Sequence, residues 1–554
     1  MKLHSYDINK NYKTSVAYFS MEFAVDQALK IYSGGLGFLA GSHMRSAYDL
    51  KQNIVGIGIL WSFGYYDQGR NEDRTLKPNY LRKFYYFLEE LEQKVTVRIE
   101  NSDVVIKAFL LHPEVFGTAP ILLLSTDIDE NDYLSRTITH KLYDSNERTR
   151  IAQEIVLGIG GLKVLEAMNR KVDVYHMNEG HSLPLVYELH SRLKDTQKVK
   201  EHVVFTTHTP EAAGNETHRV DFLEEMGFFS SLTKEEVASL CSCHKEKLNL
   251  TVEALRNSKR SNAVSKIHKK VAQHMWKEVP DSCEIISITN AQNKKYWTDK
   301  TLIRALDEHE DYELQARKKH LKKILFDEVA NQSGKMFDPD IFTIVWARRF
   351  AEYKRPGLLK YDLRRFEKLL ANTQMPVQII WAGKPYPTDS GAVSLFNDLI
   401  YMSHRYKNIA VLIGYELSLS RLLKQGSDLW LNTPRITREA SGTSGMSASM
   451  NGSIHFSIDD GWHPEFARDR RNAFTIPPVD HLLGHDEQDR IDNKNMMDIL
   501  EQKILPTYYE NPKKWTKIMK NAMTEIDLEF DSTRMAKEYY ELLYEYKIEE
   551  GGKD

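Results

Sequence analysis

Short apolar runs recur along the chain, and each is followed by a polar loop and a longer helical pattern. Six of these runs are typical of buried strands: Val16–Phe19, Ile121–Leu124, Val203–Thr206, Ile285–Ile288, Phe342–Trp346 and Val377–Trp381. Because crossover helices join parallel strands, this alternation predicts an α/β fold built on parallel sheets. The chain has 554 residues, which is too long for a single hydrophobic core and indicates two or three domains.

A charged helical pattern over 316–329, followed by the breaker Asn331–Gly334, suggests a join between two α/β domains near residues 295–335. We therefore expect one domain over 1–295 and a second over 296–554. The tail 531–548 predicts a helix, and we expect it to pack back toward the first domain. Its apolar face is more typical of core packing than of a partner site, and consists of Tyr539, Leu542, Leu543 and Tyr546.

Composition excludes several classes of protein. The net charge is −3, whereas nucleic-acid binders usually carry a strong basic excess. Three cysteines are too few for a disulfide-stapled secreted fold, so we expect a cytoplasmic protein. The polar start lacks the apolar core of a signal peptide, and no apolar run could span a bilayer. Cys241–His244 offers too few ligands for a closed zinc site, so we expect no bound metal.

Two glycine clusters have different interpretations. Ser33–Gly37 precedes a helical pattern that runs to Asp49, and its amides could approach an anion at the helix N-terminus. Taken alone, a tight turn is the favoured interpretation of that cluster. Gly158–Gly161 lies inside a helical pattern and indicates close packing between helices.

Two strand ends carry loops rich in Asn, Glu, His and Thr. They are Tyr175–His181 and Phe205–Pro210. Open α/β sheets bind ligands at the carboxyl ends of their strands, so both loops are candidates for a binding site. A capped turn with a hydrogen-bonded histidine explains either loop equally well when it is considered alone.

The C-terminal half carries the charged loops. Trp346–Pro356 places four cations at a strand-to-helix turn, which suits two phosphate groups. Gly414–Tyr415 and Glu439–Ser447 add glycine and hydroxyl groups. Glu439 is the one carboxylate of that last loop, and a carboxylate beside anions is costly unless it binds sugar hydroxyls. The combination therefore indicates a sugar phosphate.

Taken together, these segments resemble the α-glucan (glycogen and maltodextrin) phosphorylase family in its short microbial form. The motifs agree in order and spacing over nearly the whole chain: Ala17–Phe23, Tyr32–Gly41, Asn178–His181, Thr206–Pro210, Ala347–Arg355, Ala382–Lys384 and Trp430–Pro434. The resemblance implies the GT-B architecture, with two Rossmann-like domains facing a deep cleft. It also implies reversible phosphorolysis of an α-1,4-glucan end to glucose 1-phosphate, with retention, and a pyridoxal phosphate cofactor held by an imine to lysine.

The resemblance also implies roles for individual residues. The catalytic set is Arg349, Lys354, His208 and Glu439, with Arg349 and Lys354 on the substrate phosphate. Substrate contacts are implied for Glu22, Gly35, His181, Asn290, Ser441 and Gly442. The cofactor phosphate is implied to bind Arg348, Tyr415 and Thr443, with Arg348 standing where the family often has lysine.

One position departs from the family pattern. The cofactor lysine is expected eight residues after Glu439, and Ser447 stands there instead. Serine cannot form the imine. The protein is then a phosphorylase whose cofactor is held without that bond or by another lysine, a transferase using a nucleotide-diphosphate glucose, or a glucan-binding regulator without turnover.

We rank phosphorolysis first and nucleotide-sugar use second. Users of nucleotide sugars often carry a second glutamate at the position of Ser447, and it is absent here. The regulator ranks last because the implied sugar and phosphate residues are retained. The expected partners are α-glucan or maltodextrin and phosphate or a sugar phosphate, without nucleic acid or membrane. No motif indicates the oligomeric state, so the sequence leaves open whether the protein forms a homo-oligomer.

Overall fold

The structure is a computed structural model that describes residues 3–211, 214–241 and 246–548. The chain forms two compact units. The first contains the chain up to Tyr66, Tyr80–Thr289 and the chain from Ser532 onward. The second contains Asp67–Asn79 and Asn290–Asp531.

The strands of the described residues are, in chain order, β1 Val16–Phe19, β2 Ile54–Ile59, β3 Asp67–Arg70, β4 Leu76–Asn79, β5 Glu89–Ile99, β6 Ser102–Leu111, β7 Ile121–Ser125, β8 Val174–Asn178, β9 Val203–Thr207, β10 Thr217–Arg219, β11 Lys247–Asn249, β12 Arg260–Ala263, β13 Ile285–Ser287, β14 Phe342–Ala347, β15 Val377–Ala382, β16 Ile409–Leu412, β17 Leu429–Asn432, β18 Ile454–Ile458 and β19 Ala473–Ile476.

The α-helices of the same residues are α1 Gly35–Asp49, α2 Pro113–Phe116, α3 Tyr133–Thr137, α4 Glu147–Ile155, α5 Gly161–Ala167, α6 Pro184–Leu193, α7 Thr196–His202, α8 Val220–Met226, α9 Lys234–Leu240, α10 Leu250–Arg256, α11 Lys266–Met275, α12 Lys294–Trp297, α13 Lys300–Asp307, α14 Asp311–Ser333, α15 Leu363–Leu370, α16 Ser390–Arg405, α17 Leu417–Gly426, α18 Ser444–Ser449, α19 His463–Phe466, α20 His485–Ile499, α21 Leu505–Glu510, α22 Pro512–Phe530 and α23 Ser532–Glu538. Three π-helical segments continue α4, α20 and α23, at Val156–Gly160, Leu500–Ile504 and Tyr539–Tyr544.

The first unit is built on a sheet of nine strands in the order β13-β12-β9-β8-β1-β2-β7-β6-β5. Pairing is parallel from β13 to β7, and the last two strands are antiparallel. The chain runs outward from β1 in one direction and, after β8, in the other. The strand order therefore reverses between β1 and β8, and this is where open α/β sheets bind ligands.

The second unit has a fully parallel sheet in the order β16-β15-β14-β17-β18-β19. This is the strand order 3-2-1-4-5-6 of a Rossmann fold, with its reversal between β14 and β17. All six strands predicted from the apolar runs are present in the two sheets, so the α/β prediction is confirmed. The hairpin β3–β4 was not anticipated, because it is short and polar.

The predicted charged helix lies within the longer helix α14. Its Leu325 and Val329 pack in one core cluster with Trp430 of β17. Residues 295–335, where the sequence suggested a join, therefore lie inside the second unit, whose boundary falls at Thr289/Asn290. The domain boundary at 295/296 stays a prediction, and the compact units divide the chain six residues earlier.

The C-terminal helix contributes aromatic rings to the first unit. Tyr539 meets the imidazoles of His43 and His176 edge-on, with ring centroids 5.0 and 5.2 Å apart. Tyr544 Oη lies 2.8 Å from His176 Nδ1. Leu542 of the predicted apolar face is exposed, so that face is only partly buried.

Gly158 lies in the π-helical segment, where a Cβ would come within 2.8 Å of Leu185 N and Ser182 O. The prediction of close packing at this cluster is confirmed. Residues 242–244 of the cysteine-containing segment lie outside the described residues. Among the residues that are described, no helix has the length and apolar character needed to cross a bilayer.

Candidate functional site

Three charged side chains meet beside the strand-order reversal of the second sheet. Arg348 and Lys354 follow β14, and Glu439 follows β17. Arg348 Nη2 lies 2.8 Å from Glu439 Oε2, and Lys354 Nζ lies 3.0 Å from the same oxygen. All three are buried. The sequence-predicted phosphate residues and sugar residue are therefore brought together here.

Thr433 holds the two loops in register. Its hydroxyl donates to the carbonyl oxygens of Lys354 and Arg355 at 3.0 and 3.1 Å, and it accepts from Trp346 Nε1 at 3.1 Å. Arg355 has a left-handed backbone, with φ 46°, and its Nε donates back to Thr433 O. This turn aims Lys354 at Glu439 rather than at solvent.

The cations decide the charge state of Glu439. Burial opposes ionisation, but the attraction of Arg348 and Lys354 outweighs it and lowers the pKa of Glu439 to about 2. The backbone N–H of Glu439 donates to Asp460 Oδ2 at 3.0 Å. Burial raises the pKa of Asp460 to about 7, and the negative charge of Glu439 adds to that effect. One carboxylate is thus fixed as an anion, while its neighbour titrates near neutrality.

Arg348 has a donor left over. Within the described chain, its buried Nη1 has no hydrogen-bond partner. Gly442 lies against the same guanidinium: its φ is +77°, and a Cβ there would stand 3.2 Å from Arg348 Nη2. An unpaired buried guanidinium N–H is costly, and anions are the partners it binds best. This corner of the second unit is therefore suited to an anionic group.

Tyr415 and Thr443, both implied in cofactor binding, flank that corner. Tyr415 is buried and its hydroxyl donates to Ala347 O at 3.2 Å. Thr443 is the residue before α18. Ser447 in α18 is fully buried, and its hydroxyl lies 3.3 to 3.4 Å from the carbonyl oxygens of Thr443 and Ser444 in its own helix.

In the first unit, Glu22 accepts the hydrogen bonds of the glycine loop. Ser33 N and Gly34 N donate to its Oε2 at 2.7 and 3.1 Å. Ser33 Oγ and Tyr143 Oη donate to its Oε1 at 2.9 and 2.5 Å. No side chain caps α1, which begins at the exposed Gly35. Glu22 therefore shapes the loop that precedes α1.

A hydrogen-bonded chain joins the strand ends of the first sheet. His208 Nε2 lies 2.7 Å from Asn178 Oδ1, and Asn178 Nδ2 donates to Ser20 Oγ at 3.1 Å. Glu179 Oε1 accepts from His208 N. Burial lowers the pKa of His208 to about 3 and raises that of Glu179 to about 7. His208 is thus a neutral imidazole at physiological pH.

His181 lies in a separate charged cluster of the same unit. Its Nε2 is 3.9 Å from Glu216 Oε1, and its ring centroid is 5.9 Å from that of Tyr143. Burial, together with the positive charge of Arg150, lowers the pKa of His181 to about 4. His181 is therefore neutral and connected to the glycine loop through Tyr143.

Some implied residues stand apart from these contacts. Arg349 is exposed, whereas Asn290 is buried with no hydrogen-bond partner for its Oδ1 among the described residues. Ser441 is buried and its carbonyl accepts from Trp462 N at 3.1 Å. The sequence interpretation missed Asp460, although it follows the apolar strand β18 and the strand-end rule could have found it.

It also missed Gln68, for which no signal exists in the sequence. Gln68 lies in the hairpin β3–β4, and its Oε1 accepts from Gly414 N and Tyr415 N at 2.9 and 3.1 Å. Its Nε2 donates to Gly383 O at 2.8 Å. A residue far away in the chain therefore fixes the turn that carries Tyr415.

Both units have Rossmann-type strand orders, as the two domains of GT-B proteins do. A family model described as Carbohydrate phosphorylase matches residues 226–476. A maltodextrin phosphorylase of Thermococcus litoralis is 32% identical over 96% of this chain and 70% of its own length. A glycogen phosphorylase of Aquifex aeolicus is 30% identical over 98% of this chain and 87% of its own. An uncharacterised protein of Methanocaldococcus jannaschii is 49% identical over 95% of this chain and 99% of its own length. The chain belongs to the carbohydrate phosphorylase family.

Pyridoxal phosphate is typical of this family, and the second unit fits it in part. The free donor of Arg348, with Tyr415 and Thr443 beside it, suits the phosphate end of the cofactor. Ser447 does not suit the aldehyde end, because its hydroxyl faces carbonyl oxygens of its own helix.

Proposed function

We propose that the protein catalyses the reversible phosphorolysis of α-1,4-glucan ends to glucose 1-phosphate, with retention at the anomeric carbon. The observation that carries the proposal is the buried group of Arg348, Lys354 and Glu439 at the strand-order reversal of the second sheet. Two cations and one fixed carboxylate are the charges that a sugar phosphate requires.

Positively charged side chains neutralise the charge of the substrate phosphate. Lys354 and Arg349 bind that phosphate, and their positive charges stabilise it as it leaves or enters the anomeric carbon. Arg348 holds the cofactor phosphate through its remaining donor. When bound, pyridoxal phosphate would supply a phosphate group able to exchange a proton with the substrate phosphate.

The sugar is oriented by neutral and anionic acceptors. Glu439, held ionised by its two cations, accepts hydrogen bonds from the glucose hydroxyls. His208 and His181 are uncharged and bind hydroxyls without competing for the phosphate. Glu439 is stabilised too strongly by Arg348 and Lys354 to serve as a nucleophile. We therefore propose no covalent glycosyl-enzyme and expect the phosphate to enter on the face that the leaving group departs from.

The experiment is an assay of the purified protein with maltodextrin and phosphate, with and without added pyridoxal phosphate. We expect glucose 1-phosphate to form in a cofactor-dependent way, and Glu439→Gln to abolish it. Release of a nucleoside diphosphate from a nucleotide-diphosphate glucose, without glucose 1-phosphate from phosphate, would overturn the proposal. If the protein turns over neither phosphate nor a nucleotide-diphosphate glucose, the result would favour the glucan-binding regulator. We also propose a cytoplasmic location, which the low cysteine content supports.

A further inference from the structure

Ser447 stands where the family has its cofactor lysine, and a neighbouring helix that packs against this position carries a lysine of its own. Helix α17 contacts α18, the helix that carries Ser447. Lys424 is in the last turn of α17, and its side chain is fully buried. Its Nζ lies 3.5 Å from the centroid of the Trp297 ring.

Trp297 and Ser447 are joined by a single side chain. Asn451 Nδ2 donates to Trp297 O at 3.0 Å and to Ser447 O at 2.8 Å. The residue whose ring lies beneath the Lys424 amine is therefore linked, backbone carbonyl to backbone carbonyl through Asn451, to the serine that replaces the family's lysine.

Helix geometry indicates which way the side chain of Lys424 extends. Long side chains in a helix point toward its N-terminus and lie over the residue four positions earlier. For Lys424 that residue is Ser420, whose Oγ lies 3.5 Å from Tyr415 Oη. Tyr415, implied in cofactor-phosphate binding, precedes α17 at that end. Ser420, which is one turn before Lys424 on α17, is therefore the residue through which this helix contacts Tyr415.

The other buried lysines of the second unit are committed to oxygen atoms. Three form ion pairs: Lys322 with Asp428, Lys354 with Glu439 and Lys384 with Glu416. Lys318 directs its Nζ to Gln425 O, Asn451 O and Ser453 Oγ, at 2.8 to 3.0 Å, which uses all three donors of an ammonium.

The amine of Lys424 lies over the face of the Trp297 ring. Burial lowers the pKa of Lys424 well below its usual value, and the nearby charge of Arg421 adds to this. A neutral amine is the nucleophilic form of lysine.

We propose that Lys424 is the covalent anchor of pyridoxal phosphate in this protein, in place of a lysine at position 447. The Nζ lone pair attacks the aldehyde carbon of the cofactor, a C=N bond forms, and the aldehyde oxygen leaves as water with the two amine hydrogens. This inference rests on the proposed function, since it requires that the cofactor bind.

The test is reduction of the full-length protein with borohydride in the presence of pyridoxal phosphate, followed by proteolysis and mass spectrometry. We expect one phosphopyridoxyl group, on the peptide that contains Lys424, and an unmodified Lys318 peptide as the internal control. Lys424→Met, in which an unbranched apolar side chain replaces the buried amine, should lose both the label and the imine absorbance band. In the double variant Lys424→Met with Ser447→Lys, the label should move to position 447.

Phosphorolysis of maltodextrin is measured on the same samples. Cofactor-dependent activity without label on Lys424 would overturn the anchor and leave the proposed function standing. Label on Lys424 without glucose 1-phosphate would support the anchor and count against the function. A protein that retains no cofactor before or after reduction overturns the anchor, and glucose 1-phosphate formation then decides the function alone.

Discussion

Lys354 Nζ lies 3.0 Å from Glu439 Oε2, with both side chains almost completely withdrawn from water. Arg348 approaches the same oxygen, so one carboxylate balances two cations. Buried ion groups of this kind are stable only as a set, because each member compensates the desolvation of the others. The group is therefore sensitive to the loss of any one charge.

Replacing Glu439 by glutamine leaves Arg348 and Lys354 buried without a compensating charge. We expect Glu439→Gln to lower the free energy of unfolding by about 3–5 kcal/mol, measured by urea denaturation. Its control is Glu487→Gln, which removes the exposed partner of Arg490 and should leave the urea midpoint unchanged. Equal midpoints for the two variants would show that the buried group contributes nothing to stability.

The same group predicts an acid-sensitive window. The pKa of Glu439 falls from its usual value of 4.5 to about 2 in the folded protein, so the unfolded chain binds the proton first. Its stabilisation is complete above about pH 4.5 and is lost as the pH falls toward 2. We expect the difference in urea midpoint between the wild type and Glu439→Gln to shrink between about pH 5 and about pH 3. A constant difference across this range would contradict the assignment.

The sequence predicts the framework better than the contacts within it. The apolar strands and the loops at their ends are local patterns, so β14 and the loop around Glu439 could be found without coordinates. The pairing of Glu439 with Lys354 depends on β14 and β17 being neighbours, which follows only from the strand order of the whole sheet. Gln68 and Lys424 act through contacts made far along the chain or between helices, and no local pattern marks them.

Asp460 should give the opposite pH dependence. Its pKa rises from the usual 3.8 to about 7, so the folded protein binds the proton more tightly than the unfolded chain. Stability from this group is present below about pH 4 and is lost as the pH rises to about 7. Asp460→Asn keeps an acceptor for Glu439 N but does not titrate. We expect it to match the wild type in melting temperature near pH 4 and to exceed it by a growing margin as the pH rises to about 8. A wild type that gains stability relative to the variant over this range would refute the raised pKa.

Gly461 and Gly414 form a matched pair for testing what supports the loop that contains Glu439 and Ser441. Both have positive φ, 62° and 76°, so alanine is strained at either position, by about 1–2 kcal/mol. A Cβ on Gly461 would come within 2.3 Å of Ser441 O, whereas one on Gly414 meets nothing within 4 Å. Gly461→Ala must therefore displace the backbone of Ser441, at a further cost of about 1–3 kcal/mol. We expect the KM for maltodextrin to rise in Gly461→Ala only, with the larger drop in melting temperature in the same variant. Equal effects of the two substitutions would mean that the contact between Gly461 and Ser441 does not position the loop.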